Sequence, residues 1–269
     1  MVVQRYKVTN LAPGTLYMQF HPRTSVFGKQ FIELDSVPST NKIAAEMLSA
    51  SQVRHGAVIL AHHQTAGQGQ RGRSWISNVD QDLTFSVVLF PAGLRAESQF
   101  VLSKLAALAV HDVVSATVKG EVKIKWPNDI LVERRKVAGI LIQNELMGEK
   151  LSSAVIGIGM NVNTMDLQED LLATSLSLEC GHALARWALL ERVCERFEER
   201  YGSFLKGDDL SAEYASHLWA RGRWAEMLID GASVIARPMD VDATGRLIYE
   251  LEGGKVDANG LERVRFGSR

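Results

Sequence analysis

Ala57-Val-Ile-Leu-Ala61, then Gln64-Thr-Ala-Gly67-Gln68-Gly69-Gln70-Arg71-Gly72-Arg73-Ser-Trp75, then the apolar run Leu83 to Phe90 set the architecture. The glycines Gly67, Gly69 and Gly72 spell G-x-G-x-x-G after a short apolar strand. A dinucleotide site would need a helix directly after the third glycine and an acidic residue about 20 positions on. Neither the spacing nor the composition supplies that helix: Ser-Trp-Ile-Ser-Asn-Val-Asp-Gln-Asp follows, and then a second strand. The segment therefore reads as strand, glycine-rich connection, strand, joined too briefly for a parallel crossover. A structural hairpin loop is one account of it. The interleaved Arg71 and Arg73 and the closing Trp75 favour another, a loop that offers backbone N–H groups and guanidinium forks to an anion and a flat surface to a ring.

Working outward, Val122-Lys-Ile-Lys125-Trp126 alternates with the period of a strand, and Pro127-Asn128-Asp129 turns it back into Ile130 to Val132. Lys125 stands at the strand end, where a positioned cation is commonly found, although a solvated lysine has the same pattern. Lys136-Val-Ala-Gly139-Ile-Leu-Ile and Val155-Ile-Gly157-Ile-Gly159-Met-Asn161-Val-Asn163 read as buried strands interrupted by glycine. Glycine there marks close backbone approach or a bulge, which suits core packing and ligand contact equally. Phe31 to Leu34 begins an earlier strand. Pro38-Ser39-Thr40-Asn41 then starts a helix, with Ser39 or Thr40 able to cap it. Residues 97–117 predict an amphipathic helix, Leu184 to Phe204 a longer one with Cys194 on its buried stripe, and Leu210 to Ala220 a third. Short strands at about 232–238, 245–251 and 261–266 end the chain. Strands mixed with helices and short links at 64–75, 127–129 and 146–150 imply an α/β (α+β) protein with a mixed or largely antiparallel sheet.

Composition narrows the function. With 269 residues, 46% hydrophobic, 23% charged and a net charge of −1, the chain is ordinary for a globular enzyme and lacks the basic excess of a nucleic-acid binder. Cys180 and Cys194 are too few for a disulfide scaffold or zinc site, so a reducing cytoplasmic setting is expected. No signal-peptide pattern or membrane-length apolar run is expected. His62 and His63, adjacent on a strand, should point to opposite faces and not share a metal. No G-x-S-x-G elbow marks a serine hydrolase. Residues 1–30, with turn signals at Ala12-Pro-Gly14 and His21-Pro22, have no assignable role.

Taken together, Ser39-Thr40-Asn41, the Gly/Arg loop, Lys125-Trp-Pro-Asn-Asp129, Lys136-Val-Ala-Gly-Ile-Leu and Gly157-Ile-Gly-Met-Asn161 occur in one order at close spacing. In this the chain resembles the biotin–[acetyl-CoA carboxylase] ligase family, well over roughly residues 30–220 and more loosely beyond. The resemblance implies a catalytic domain with a mixed sheet flanked by helices, of the class II synthetase type, over 31–222. An SH3-like β-barrel would follow over 223–269, with 1–30 as an extension. Some relatives carry an N-terminal helix-turn-helix; the residues before Phe31 do not accommodate one, so a ligase-only form without nucleic-acid partners is expected.

The activity implied is activation of biotin by ATP, with magnesium bridging the phosphates, followed by transfer to a lysine of a biotin carboxyl carrier domain. Homodimerisation is left open. By the same resemblance Lys125 neutralises the approaching carboxylate and α-phosphate, and Arg71 and Arg73 hold phosphates. Ser39, Thr40, Asn41 and Gln64 bond the ureido ring; Gln68, Gly69 and Gln70 fold over biotin; and Gly139 leaves room for its chain. Trp75, Asn128 and Asn161 meet the adenylate. Gln68 and Gln70 stand where many relatives have arginine, which keeps hydrogen bonding and loses charge. Lipoate or octanoate ligation, and a non-catalytic biotin-binding module, are the alternatives.

Overall fold

The computed structural model describes residues 7–10, 20–167 and 172–267. In chain order the first part contains β1 (Lys7–Asn10), β2 (Gln30–Val37), α1 (Thr40–Ser49), β3 (Val58–Gln64), β4 (Leu83–Leu89) and α2 (Phe100–Ser115). The strands β5 (Val122–Lys125), β6 (Asp129–Val132), β7 (Arg135–Met147) and β8 (Lys150–Met160) follow, and then α3 (Leu176–Cys180), α4 (Arg186–Lys206) and α5 (Ser211–Ser216). The chain closes with β9 (Ala225–Ile229), β10 (Ala232–Val241), β11 (Leu247–Leu251), β12 (Val256–Asn259) and β13 (Val264–Phe266).

Eight strands form one sheet in the order β1-β2-β3-β4-β8-β7-β6-β5. Only the β2–β3 pair, connected through α1, is parallel; the short links all give antiparallel neighbours, so the sheet is mixed. Strand β4 is buried along its whole length because both faces are covered. One face, carrying Phe85 and Val87, belongs to the apolar cluster that also holds the buried residues of α2 and α4. The other, carrying Val88 with Ile59 and Val155, packs under Ile43, Ala44 and Met47 of α1. The smaller sheet is antiparallel, ordered β12-β11-β10-β9-β13, and is the SH3-like unit. Its Met227, Leu247 and Val264 join the same apolar cluster as Trp126 and Tyr214, and Trp126 Nε1 donates to the Gly245 carbonyl at 3.0 Å.

Several expectations change on folding. The expected 97–117 helix forms as α2 but has little polar face: it is buried on nearly every side, Lys104 and His111 included, because sheet and α4 enclose it. The helix expected to run to Ala220 stops at Ser216, since residues 217–219 leave it to pair with β5. Ile124 N–H donates to the His217 carbonyl and Trp219 N–H to the Ile124 carbonyl, both at 2.8 Å. Within residues 1–30, for which only turn signals were read, β1 pairs with β2, and β9 and β12 add two strands to the three expected at the C-terminus. Ala12-Pro-Gly14 lies outside the described residues. Cys194 is buried as expected, and burial pushes its thiol pKa up. His62 bonds Glu33 and Asp80 whereas His63 bonds Ser36, so the two do not converge. Among the described residues no helix is long and apolar enough to cross a membrane.

Candidate active site

The glycine-rich connection between β3 and β4 folds into a small hairpin. Gly69 N–H donates to the Arg73 carbonyl at 2.6 Å and Trp75 N–H to the Gly67 carbonyl at 2.9 Å. Arg71 sits at its tip with a left-handed φ of 55°. This geometry turns the hairpin's inner edge and the Trp75 ring over β7 and β8, where they close a cavity. Its lining includes Ser39, Thr40, Asn41 and Gln64 at one end, Gln68, Gly69 and Gln70 from the hairpin, and Trp75, Asn128 and Gly139. Ten of the fourteen residues singled out in the sequence thus come together.

The end near α1 is a chain of polar contacts. Ser39 occupies the N-cap position, yet no side chain of its own caps the helix. Instead Gln64 Oε1 accepts from Thr40 N–H at 2.7 Å, so a residue from β3 takes the capping role expected of Ser39 or Thr40. Thr40 Oγ1 and Asn41 Oδ1 lie 2.8 and 2.7 Å from the Ser86 hydroxyl, which donates to one of them at a time. Asn41 Nδ2 donates to the Leu141 carbonyl at 3.2 Å. Ser39, Thr40, Asn41 and Ser86 are all buried. A buried polar set must be bonded to be tolerated, and one so connected presents fixed donors and acceptors to a polar ring. Ser86 went unnoticed in the sequence; its signal is a second hydroxyl, besides Thr84, at a buried position of the mostly apolar run 83–90.

At the other end Trp75 lies flat on glycine. A Cβ at Gly159 would collide with the indole, and one at Gly139 would sit 3.1 Å from its Cζ3. Gly157 has the same relation to the Asn41 amide. These glycines are therefore required by close approach of side chains to the strand backbone.

Of the two lysines near this cavity, Lys136 is in its lining and Lys125 stands beside it. The Lys136 ammonium lies 2.6 Å from Asp129 Oδ1 and 5.4 Å from the Trp75 ring centre, and it lines the cavity. Lys125 is outside the lining: its ammonium sits 5.6 Å over Trp219, which the pairing of residues 217–219 with β5 brings to that side, and 5.9 Å over Phe266, whose ring meets that of Trp219 edge-on. Burial lowers the Lys125 pKa; Asp129 opposes this, while Lys136 and Arg73 push the same way. Lys125 therefore shares one charge cluster with Asp129, Lys136 and Arg73. Arg71 and Arg73 are exposed and also outside the lining, since the hairpin directs its backbone inward. Asn161, expected at the adenylate, is likewise not in the lining. It is buried beneath the cavity and donates from Nδ2 to the Thr174 carbonyl at 3.0 Å, anchoring the segment whose Ala173 pairs with Lys136. Asn128 lines the cavity and donates to the Ile140 carbonyl at 2.6 Å. Among the described residues no three His, Cys, Asp or Glu side chains converge as a metal site.

A model of the biotin/lipoate A/B protein ligase family matches residues 33–161. The chain is 31% identical over 252 residues to the bifunctional ligase/repressor BirA of Bacillus spizizenii, covering 90% of this chain and 77% of that protein. It is 32% identical over 238 residues to the biotin–[acetyl-CoA-carboxylase] ligase of Mycobacterium tuberculosis, covering 85% and 87%. The structure of biotin protein ligase from Aquifex aeolicus in complex with biotin and ATP matches with a TM-score of 0.74 at 26% identity, over 89% of this chain and 100% of that one. The polar network, the flat Trp75 and the Lys136 cation fall within the matched segment, and the chain belongs to the biotin protein ligases of the biotin/lipoate A/B protein ligase family.

Proposed function

We propose that this chain joins biotin and ATP into biotinyl-5′-adenylate with release of pyrophosphate, and then transfers biotin to a lysine of a biotin carboxyl carrier domain. The observation that carries the reading is one cavity with a buried hydrogen-bonding network at one end and a cation beside a flat ring at the other. The first end suits a ureido ring through Ser39, Thr40, Asn41 and Gln64. Gln68, Gly69, Gln70 and Gly139 would flank the biotin chain, and Trp75 and Asn128 the adenylate. A lipoyl or octanoyl chain has no use for three buried polar residues and a half-buried glutamine amide.

Two anions must meet for the anhydride to form, and no protein nucleophile is required. Lys136 would release Asp129 and stand between carboxylate and α-phosphate, countering charge as the C–O–P linkage closes. Lys125, Arg71 and Arg73 would add positive potential from outside the cavity. With no protein cage for a metal among the described residues, magnesium would be carried by the nucleotide's own phosphates. In transfer, the lysine amine attacks the biotinyl carbonyl, a C–N bond replaces the C–O bond, and AMP leaves. Pyrophosphate release by purified protein should require both biotin and ATP. Equal release with lipoate would overturn biotin as the substrate.

A further inference from the structure

A second cavity, of about 360 Å³, lies between β7, the start of α2 and two connections of the smaller sheet, 244–246 and 260–262. It shares Gln70, Asn128 and Ile140 with the first cavity, so the two adjoin where, on the reading above, Gln70 flanks the biotin chain and Asn128 the adenylate. Its walls carry two ionisable groups, Arg246 and Glu262. Arg246 is already neutralised, with Nε 2.7 Å from Asp242 Oδ2. Glu262 has no hydrogen-bond or ion-pair partner among the described residues. Asn144 donates from Nδ2 to Gln99 at 2.7 Å, and its Oδ1 is buried with no partner.

A free carboxylate and an orphaned carbonyl oxygen are both acceptors. A phosphate chain offers acceptors only and would meet repulsion at Glu262. A lysine ammonium offers three donors and no acceptor, on an apolar stem that suits the Trp126 and Ile142 walls. We propose that the second cavity is the approach channel for the acceptor lysine, with Glu262 and Asn144 Oδ1 holding its ammonium before attack. The inference rests on the transfer reading above. Glu262 is a positioning residue: the lysine's two departing protons pass to solvent through the open mouth, the C–N bond forms, and AMP leaves with the electron pair of the broken C–O bond.

The test separates the two half-reactions. The full chain is loaded with biotin and ATP, and pyrophosphate release is measured. The bound adenylate is then challenged either with apo biotin carboxyl carrier domain or with hydroxylamine, a small neutral nucleophile. Glu262→Gln should release pyrophosphate and react with hydroxylamine as the parent does, while kcat/KM for the carrier domain falls at least tenfold, mostly in KM. Glu262→Asp should restore part of that loss. Thr244→Trp, on the exposed rim, should block transfer to the carrier domain and spare pyrophosphate release. Unchanged transfer by Glu262→Gln, or parallel loss of the hydroxylamine reaction, would overturn the channel. Loss of pyrophosphate release in Thr244→Trp would assign the cavity to the nucleotide and also overturn it. Absence of pyrophosphate release by the parent would refute the functional reading itself.

Discussion

Replacing Lys136 by methionine removes a charge and keeps an unbranched stem of similar length. A unit charge about 4 Å from an anion at an effective dielectric near 20 is worth about 4 kcal/mol. Two features of the site reduce that figure: the side chain is 34% exposed, and its ammonium must first leave Asp129, 2.6 Å away. We therefore expect a loss of about 3 kcal/mol from the barrier to adenylate formation, or about 10²-fold in rate. Stability should change by less than about 1 kcal/mol, because a partly exposed ion pair contributes little. Rapid-quench measurement of the first pyrophosphate turnover, at saturating biotin and ATP, reads the chemical step. Lys125→Met is the internal comparison. It gives up contacts with Trp219 and Phe266 worth about 1 kcal/mol of stability, and should keep adenylate formation within about fivefold. If Lys136→Met stays within threefold of the parent, or Lys125→Met is the more damaged, Lys136 is not the cation that meets the anions.

Two substitutions should divide the cavity into its ends. Gly157→Ala places a methyl group on the Asn41 amide and should raise KM for biotin about tenfold while leaving KM for ATP unchanged; equal effects on both in steady-state assays would contradict the division. Trp75→Ala removes a ring whose stacking on a base is worth about 1–3 kcal/mol, so KM for ATP should rise about 10- to 100-fold with biotin binding by calorimetry unaltered. A third prediction concerns the 242–246 turn. Burial opposes ionisation of Asp242, but bonds from Thr244 and Arg246 outweigh it and hold the pKa at about 2, below the usual 3.8. A depressed carboxyl pKa stabilises the fold fully above pH 4 and loses that contribution as pH falls from about 4 to 2. Asp242→Asn should therefore be about 1 kcal/mol less stable than the parent in urea at pH 7, with only a small fraction of that difference left at pH 2; a difference independent of pH would contradict this.

Local pattern was enough for much of this protein. Short polar connections between apolar strands made antiparallel pairing the available solution, and the missing helix after Gly72 excluded the dinucleotide fold. Ser39 to Asn41, Gln64 and Gly67 to Trp75 sit where a strand ends and the chain turns, so contiguity alone brings most of them to one place. Tertiary structure decided what contiguity could not. Lys125 and Lys136 each border a β-turn, and only the pairing of β6 with β7, and of residues 217–219 with β5, sends one ammonium to the cavity and the other beneath Trp219 and Phe266. Asn161 turns to Thr174, and Arg71 and Arg73 face outward, because partners 13 residues away and a left-handed hairpin tip fix their directions. Ser86 acquires its meaning only beside Asn41, and the unpaired oxygen of Asn144 only in a cavity that the smaller sheet's connections help to wall. Strand periodicity assigns a side chain to a face; what that face meets depends on elements distant in the chain, and a single sequence does not encode that locally.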